Sequence, residues 1–303
     1  QRKARDANNV PPRLETHDRF GNRRDVVEFH PAYHELMTLG LESGAAAFAW
    51  EPMHRGRVGS HVIRGALMYL MYQLNPGVCC PITMTFAATP AIEAGIRGKS
   101  ETPFFEEILE KLRKPGYSGA NVPIHDKPAV TVGMSMTEKQ GGSDVRANTT
   151  YATPVHSGNN SVGGEFELVG HKWFTSAPMS DGFLTLAQTQ EGVSCFLVPR
   201  WLPTSLGACP TTERAAGPKS PSIARNEGFQ LQRLKNKLGD KSNASSEVEY
   251  RQARGWMIGD PGRGVRTIVD MVVHTRLDCV IGSAALMRQC AQLAVHHCGA
   301  RKA

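Results

Sequence analysis

Met134-Ser-Met-Thr-Glu-Lys-Gln-Gly-Gly-Ser-Asp-Val-Arg-Ala-Asn-Thr-Thr150 is the stretch around which this 303-residue chain is organised. It leaves an apolar run, residues 130–136, passes Thr137 and Glu138, and enters Gly141-Gly142-Ser143-Asp144. A strand that ends in paired glycines suits a phosphate cradle. Glycine lets the backbone approach a ligand closely, and successive N–H groups of a tight turn form an anion-binding nest. Thr137 and Ser143 add hydroxyl donors beside it. The same residues also suit an ordinary hairpin turn. The segment is not a Walker A loop, because no Lys-Ser/Thr follows the glycines, and the three-glycine spacing of a dinucleotide fingerprint is missing.

A second block, Val169-Gly-His-Lys-Trp-Phe-Thr-Ser-Ala177, follows an alternating strand at 165–169. After a polar turn it presents Trp173, Phe174, Thr175 and Ser176 in succession. An aromatic beside a hydroxyl suits a planar heteroaromatic ring, which can stack while the hydroxyl bonds an edge nitrogen. A Trp-Phe pair is equally at home in a core.

Outward from these blocks the hydrophobic period changes twice. Residues 30–120 carry helical spacing, with an apolar face over 62–74, Pro81 suited to the first turn of a helix, and a helix over 104–112 stopped by Lys114-Pro115-Gly116. Short alternating runs at 130–136, 165–169, 183–187, 194–198, 229–234 and 247–250 predict strands. Helical spacing returns from about 263. Helix, then sheet, then helix predicts an α+β chain: an N-terminal helical domain (1–125), a middle antiparallel β-barrel or sandwich (126–258), and the start of a C-terminal helical domain (259–303).

Taken together the two blocks resemble the acyl-CoA dehydrogenase flavoprotein family, in particular its AidB-type branch, linked to the bacterial DNA alkylation response. The resemblance runs through Phe29-His-Pro-Ala-Tyr-His34, Cys80-Pro-Ile-Thr-Met-Thr-Phe-Ala-Ala-Thr-Pro90, Ser194-Cys-Phe-Leu-Val-Pro-Arg200, Leu234-Lys-Asn-Lys-Leu-Gly-Asp-Lys-Ser-Asn-Ala-Ser245 and Met271-Val-Val-His-Thr-Arg276. It implies FAD held between a β domain and a helical domain. Met134 to Ser143 match the family's first flavin-binding segment, in which Met136 and Thr137 would face the isoalloxazine ring, and Gly142 and Ser143 the pyrophosphate, with Ser143 also toward substrate. Phe174, Thr175 and Ser176 match the second flavin segment, with Ser176 near the flavin N5. Arg276 matches a substrate-side arginine, and Arg301 one that reaches the FAD of a neighbouring subunit in a homo-oligomer. The implied reaction is oxidation of the CH–CH group of an acyl-CoA. The family's catalytic glutamate has no counterpart here and is expected beyond residue 303, both ends reading as cut. Val273 and Lys139-Gln140 depart from the common acyl-CoA oxidisers and follow the AidB branch. That branch carries an alternative: a flavoprotein that associates with double-stranded DNA and protects against alkylation.

Composition sets bounds. The net charge of +7 favours anionic partners such as CoA phosphates or nucleic acid. Basic residues cluster at 2–24 and at 214–241, the latter including a Pro/Gly/Ser-rich stretch, 211–227, that resembles an insertion between strands. Seven cysteines without Cys-x-x-Cys spacing suit reduced thiols and a cytoplasmic setting. No metal is expected: His296-His297-Cys298 are consecutive and point different ways on a helix. No apolar run is long enough to span a membrane.

Overall fold

The computed structural model describes residues 1–98, 102–203 and 224–301. Helix α1 (Arg2–Asn9) leads into a hairpin of β1 (Arg13–His17) and β2 (Arg23–Glu28). Helices α2 (Pro31–Glu42), α3 (Ser60–Leu74), α4 (Pro76–Ile96) and α5 (Pro103–Leu112) follow. Then come β3 (Val132–Thr137), β4 (Tyr151–Pro154), β5 (Glu165–Ser176), β6 (Gly182–Thr189), β7 (Gly192–Pro199), β8 (Phe229–Leu234) and β9 (Ser245–Ile258), and finally helix α6 (Gly264–Ala300). The α+β order read from the periodicity is the order the chain adopts.

Strands β3 to β9 form one sheet in the order β3-β5-β4-β6-β7-β9-β8, and further pairings of β3 with β6 and β5 with β9 fold it back on itself. The sheet is not wholly antiparallel as expected, because β6 runs parallel to both β3 and β4. Its interior is filled from alternate positions, including Phe166, Leu168, Phe183, Phe196, Val248 and Tyr250. Helices α4 and α5 lie on the outside and share a second apolar core with β3, β6, β7 and α6.

Helix α4 is the element that carries the sheet. Asn75 caps it by accepting from Val78 N at 3.2 Å, with Pro76 in the first turn. Pro81 therefore falls inside this helix and does not begin it. Further along, Thr85 donates to the Pro81 carbonyl and accepts from Val132 N at 3.2 Å, tying the start of β3 to the helix.

Several elements differ from expectation. Strand β5 does not stop at Val169 but runs on to Ser176 with two register shifts. Gly170 allows this, since a Cβ there would sit 2.4 Å from Thr150 Oγ1. The β1–β2 hairpin, β4 and α1 had no signal in the periodicity. The stretch expected as an insertion lies outside the described residues from Thr211 to Ile223, and Arg214 and Lys219 with it.

Three helices are joined by one buried carboxylate. Asp278 on α6 accepts from both terminal nitrogens of Arg64 on α3 and from the Thr83 hydroxyl on α4, with Asp278 and Arg64 almost without exposure. Arg64 also donates to Ala45 O at 2.9 Å and lies 3.7 Å over the Phe86 ring. Each polar group removed from water here has several partners, as burial requires.

Candidate functional site

Strands β3 and β5 bring the two blocks side by side. Met134 stands opposite Ser176, Ser135 opposite Thr175 and Thr137 opposite Phe174, with a register shift between Ser135 and Thr137. The two-residue period, reset by bulges between Ser135 and Thr137 and between Lys172 and Thr175, sorts the side chains by face. Lys172, Ser135 and Thr175 point into the sheet's interior and are fully buried. Met134, Met136, Thr137 and Ser176 are half-buried on the outer side, and Phe174 is 38 % exposed.

Thr175 was grouped with Phe174 and Ser176, and its side chain is turned the other way. Its hydroxyl pairs with Ser135 Oγ at 2.5 Å. The reason is the pleat: over Phe174, Thr175 and Ser176 successive side chains alternate between the two faces.

Below the turn lies an ion pair that sequence reasoning did not find. Lys172 Nζ donates to Glu138 Oε1 and to Leu186 O, each at 2.7 Å. Glu138 also accepts from Thr149 N at 2.7 Å, Thr150 N at 3.2 Å and Gln140 Nε2 at 2.8 Å. Burial favours the neutral acid, but the Lys172 ammonium and these donors overcome it and hold Glu138 down at about 2. Burial pulls Lys172 toward its neutral form as well; with two acceptors on it, the ammonium is retained. Glu138 and Lys172 are 34 residues apart, so only the β3–β5 pairing could have revealed them.

This pair and Asn148 fix the turn. Asn148 Nδ2 donates to Met136 O at 2.7 Å. Its Oδ1 presses on Gly141, where a Cβ would lie 2.4 Å away. Gly142 and Ser143 are left exposed at the tip, and a Cβ at Gly142 would meet Thr137 Cγ2 at 3.2 Å. The hydroxyls of Thr137 and Ser143 take part in no hydrogen bond among the described residues. Ser176 shares its hydroxyl with the Cys80 thiol, which burial pushes up to about 11 despite the nearby Lys237.

Around this edge stands a rim of positive charge. Lys235 lies 3.3 Å over the Trp173 ring, with Lys139 and Arg233 each at 5.7 Å. The outer face thus offers an aromatic surface, unspent hydroxyls, a bare glycine tip and cations. That donor set fits a planar ring joined to a pyrophosphate. Two carboxylates beside it are committed: Glu138 is tied to Lys172, and Asp144 to Arg146 at 2.9 Å.

The two predicted arginines belong to α6 and its C-terminal cap. Arg276 is exposed on α6, between half-buried His274 and buried Asp278. Arg301 is exposed at the end of α6, beyond the Gln289–Gln73 contact with α3. Neither is joined to the β3–β5 edge by a hydrogen bond or ion pair among the described residues. No cluster of three His, Cys, Asp or Glu that could hold a metal ion occurs among those residues, and no helix is long and apolar enough to cross a membrane.

A sheet of this topology between helices, with a flavin-shaped edge, defines a class, and comparison with known proteins gives the same class. Residues 1–118 match the N-terminal domain of the adaptive response protein AidB, and residues 133–253 match the acyl-CoA dehydrogenase middle domain. The chain belongs to the acyl-CoA dehydrogenase superfamily. Within it the AidB-like branch is indicated by 42 % identity to AidB of Escherichia coli strain K12 over 96 % of this chain and 48 % of that protein. Acyl-CoA dehydrogenase family member 11 of Caenorhabditis elegans is 30 % identical over 93 % of this chain and 42 % of its own length. The crystal structure of Caenorhabditis elegans ACDH-11 in complex with C11-CoA superposes with a TM-score of 0.77 at 28 % identity, covering 95 % of this chain and 44 % of that one. The chain thus spans about half the length of the curated relatives it matches.

Proposed function

We propose that the outer β3–β5 edge binds FAD and that the chain contributes it to an oxidoreductase acting on the CH–CH group of an acyl-CoA. The observation that carries this is the register that sets Thr137 opposite Phe174 and Met134 opposite Ser176 beneath the exposed Gly142–Ser143 tip. Phe174 and the two methionines would flank the ring, Thr137 and Ser176 would bond its edge, and Gly142 and Ser143 would take the pyrophosphate. The backbone of Thr175 would hold those neighbours in place, its side chain being spent inside. When bound, FAD supplies the hydride acceptor. The chain's own residues bind, orient and polarise it. Glu138 and Asp144 are both paired, so neither is placed to take a substrate proton. In this reading residues 1–125, 126–258 and 259–303 belong to three separate domains around the edge. Arg276 would face the substrate, and Arg301 the FAD of a second copy in a homo-oligomer. Unpaired cysteines fit a cytoplasmic setting.

The test is the visible spectrum of the purified chain after mixing with FAD and desalting. Retained absorbance that falls in Phe174→Ala and Ser176→Ala supports the assignment; retention unchanged in both sinks it. The likeness to AidB, together with the net charge of +7, favours a second reading, association with double-stranded DNA. Binding that weakens steeply as salt rises would support it, and no binding at low salt would end it.

A further inference from the structure

Away from the β3–β5 edge, a cavity of about 390 Å³ lies between β2, the start of α2, residues 117–121 and residues 177–180. That is within the range of small-molecule sites, roughly 300–1,000 Å³. One wall is aromatic. Tyr33 stacks on Phe29 at 4.1 Å between centroids, and His34 meets Tyr33 edge-on at 5.5 Å. Met37 and Met179 add polarizable thioethers.

The polar part of the wall is built and only partly satisfied. His34 Nδ1 and Tyr117 Oη are 2.8 Å apart. Gly119 lies directly against them, since a Cβ there would be 2.7 Å from Nδ1 and 3.2 Å from Oη. In either imidazole tautomer this bond consumes one donor and leaves one. If Tyr117 donates, Nε2–H is free; if His34 donates, the phenol O–H is free. Burial holds His34 below its usual value, so the ring is neutral near pH 7. Tyr33 is 5 % exposed, and its hydroxyl makes no hydrogen bond among the described residues. The lining therefore has two donors that no protein group among the described residues takes up.

The charges near it are committed. Lys127 pairs with Asp181 at 2.5 Å, and Arg200 donates to Pro178 O at 3.2 Å and Asp25 O at 3.1 Å. An anion placed here would be desolvated without a free counter-charge, whereas a neutral acceptor would not.

We propose that this cavity binds a small uncharged aromatic molecule carrying a carbonyl oxygen, an aryl amide or aryl ketone. Its ring lies against Phe29, Tyr33 and Met37, and its oxygen accepts from Tyr33 and from the His34–Tyr117 pair. Ala177 lines the cavity with a positive φ of 51° and directly follows Ser176, the last residue of β5.

The experiment is calorimetric titration of the purified chain, with no flavin added, using benzamide, acetophenone and benzoate at pH 7.5. Benzamide or acetophenone should saturate a single site with a dissociation constant below about 1 mM. Benzoate should bind at least about tenfold more weakly. Tyr33→Phe keeps the ring and removes the donor, and should weaken benzamide at least about fivefold with an unchanged circular dichroism spectrum. Tyr117→Phe leaves His34 a donor and should weaken it less. No saturable binding of either neutral compound, equal binding of benzoate, or undiminished binding by Tyr33→Phe would each overturn the proposal. Because the readout needs no flavin, its failure is separate from failure of the FAD assignment.

Discussion

The inner and outer faces of the β3–β5 pair are made from interleaved residues and do opposite things. Inside, the polar side chains nearest the pairing are spent on one another: Lys172 on Glu138 and Leu186, Ser135 on Thr175, and the Thr185 hydroxyl on Ser135 O. Outside, Thr137 and Ser143 keep their hydroxyls free and Phe174 keeps part of its ring in water. One face fixes the backbone and the other is held out by it. Stability and ligand binding should therefore separate along a single strand, residue by residue.

The largest break in that contrast should come from Lys172→Met. It strands the Glu138 charge in the interior, and losing one partner of a buried pair costs about 3–5 kcal/mol. Urea unfolding should show a lower midpoint, and FAD retention should fall with it because the turn loses its anchor. An unchanged midpoint would mean that the pair is not holding the fold.

Acid should produce the next effect. The folded value of Glu138 is depressed from 4.5 to about 2. Its contribution is therefore present above the unfolded value and is lost as pH falls from about 4.5 toward 2. A shift of this size corresponds to about 3 kcal/mol. Glu138→Gln should lower stability at pH 7 and flatten the stability profile over that window. A profile with the same slope in the variant would assign the acid sensitivity elsewhere.

Thr175→Val sharpens the comparison at one position. It removes the inward hydroxyl from Ser135 and should cost about 1 kcal/mol, read by thermal unfolding, with little change in retained flavin. Ser176→Ala, the next residue, should do the reverse: about 0.5 kcal/mol or less in stability, with a several-fold loss of flavin after desalting. If both variants lose flavin equally, the face-by-face division is wrong.

Legibility in the sequence followed the same division. The change from helical to strand period was readable because β6 and β7 bury long apolar runs, whereas β9, with charged residues along it, was read only over 247–250 of Ser245–Ile258. Strand β4 was not, since only Ala152 among its four residues is buried. The β1–β2 hairpin reads as a charged segment, and is docked through contacts such as Arg23 to Leu231 O at 2.9 Å that no local pattern announces. In the site, the hydroxyls, glycines and Phe174 were visible as residue types within two blocks. The Glu138–Lys172 pair and the inward turn of Thr175 needed the β3–β5 register, which is a property of two segments and not of either one.

The Asp278 knot also sets an order of events. Its partners Arg64 and Thr83 lie 214 and 195 residues earlier in the chain. Such a bond rewards folding only after a very long loop has closed, and contacts of that separation form late. Helix α6 can dock this carboxylate only where α3 and α4 already stand together. Asp278→Asn should therefore speed unfolding while leaving refolding nearly unchanged, which makes this one side chain a clasp on the lifetime of the folded state.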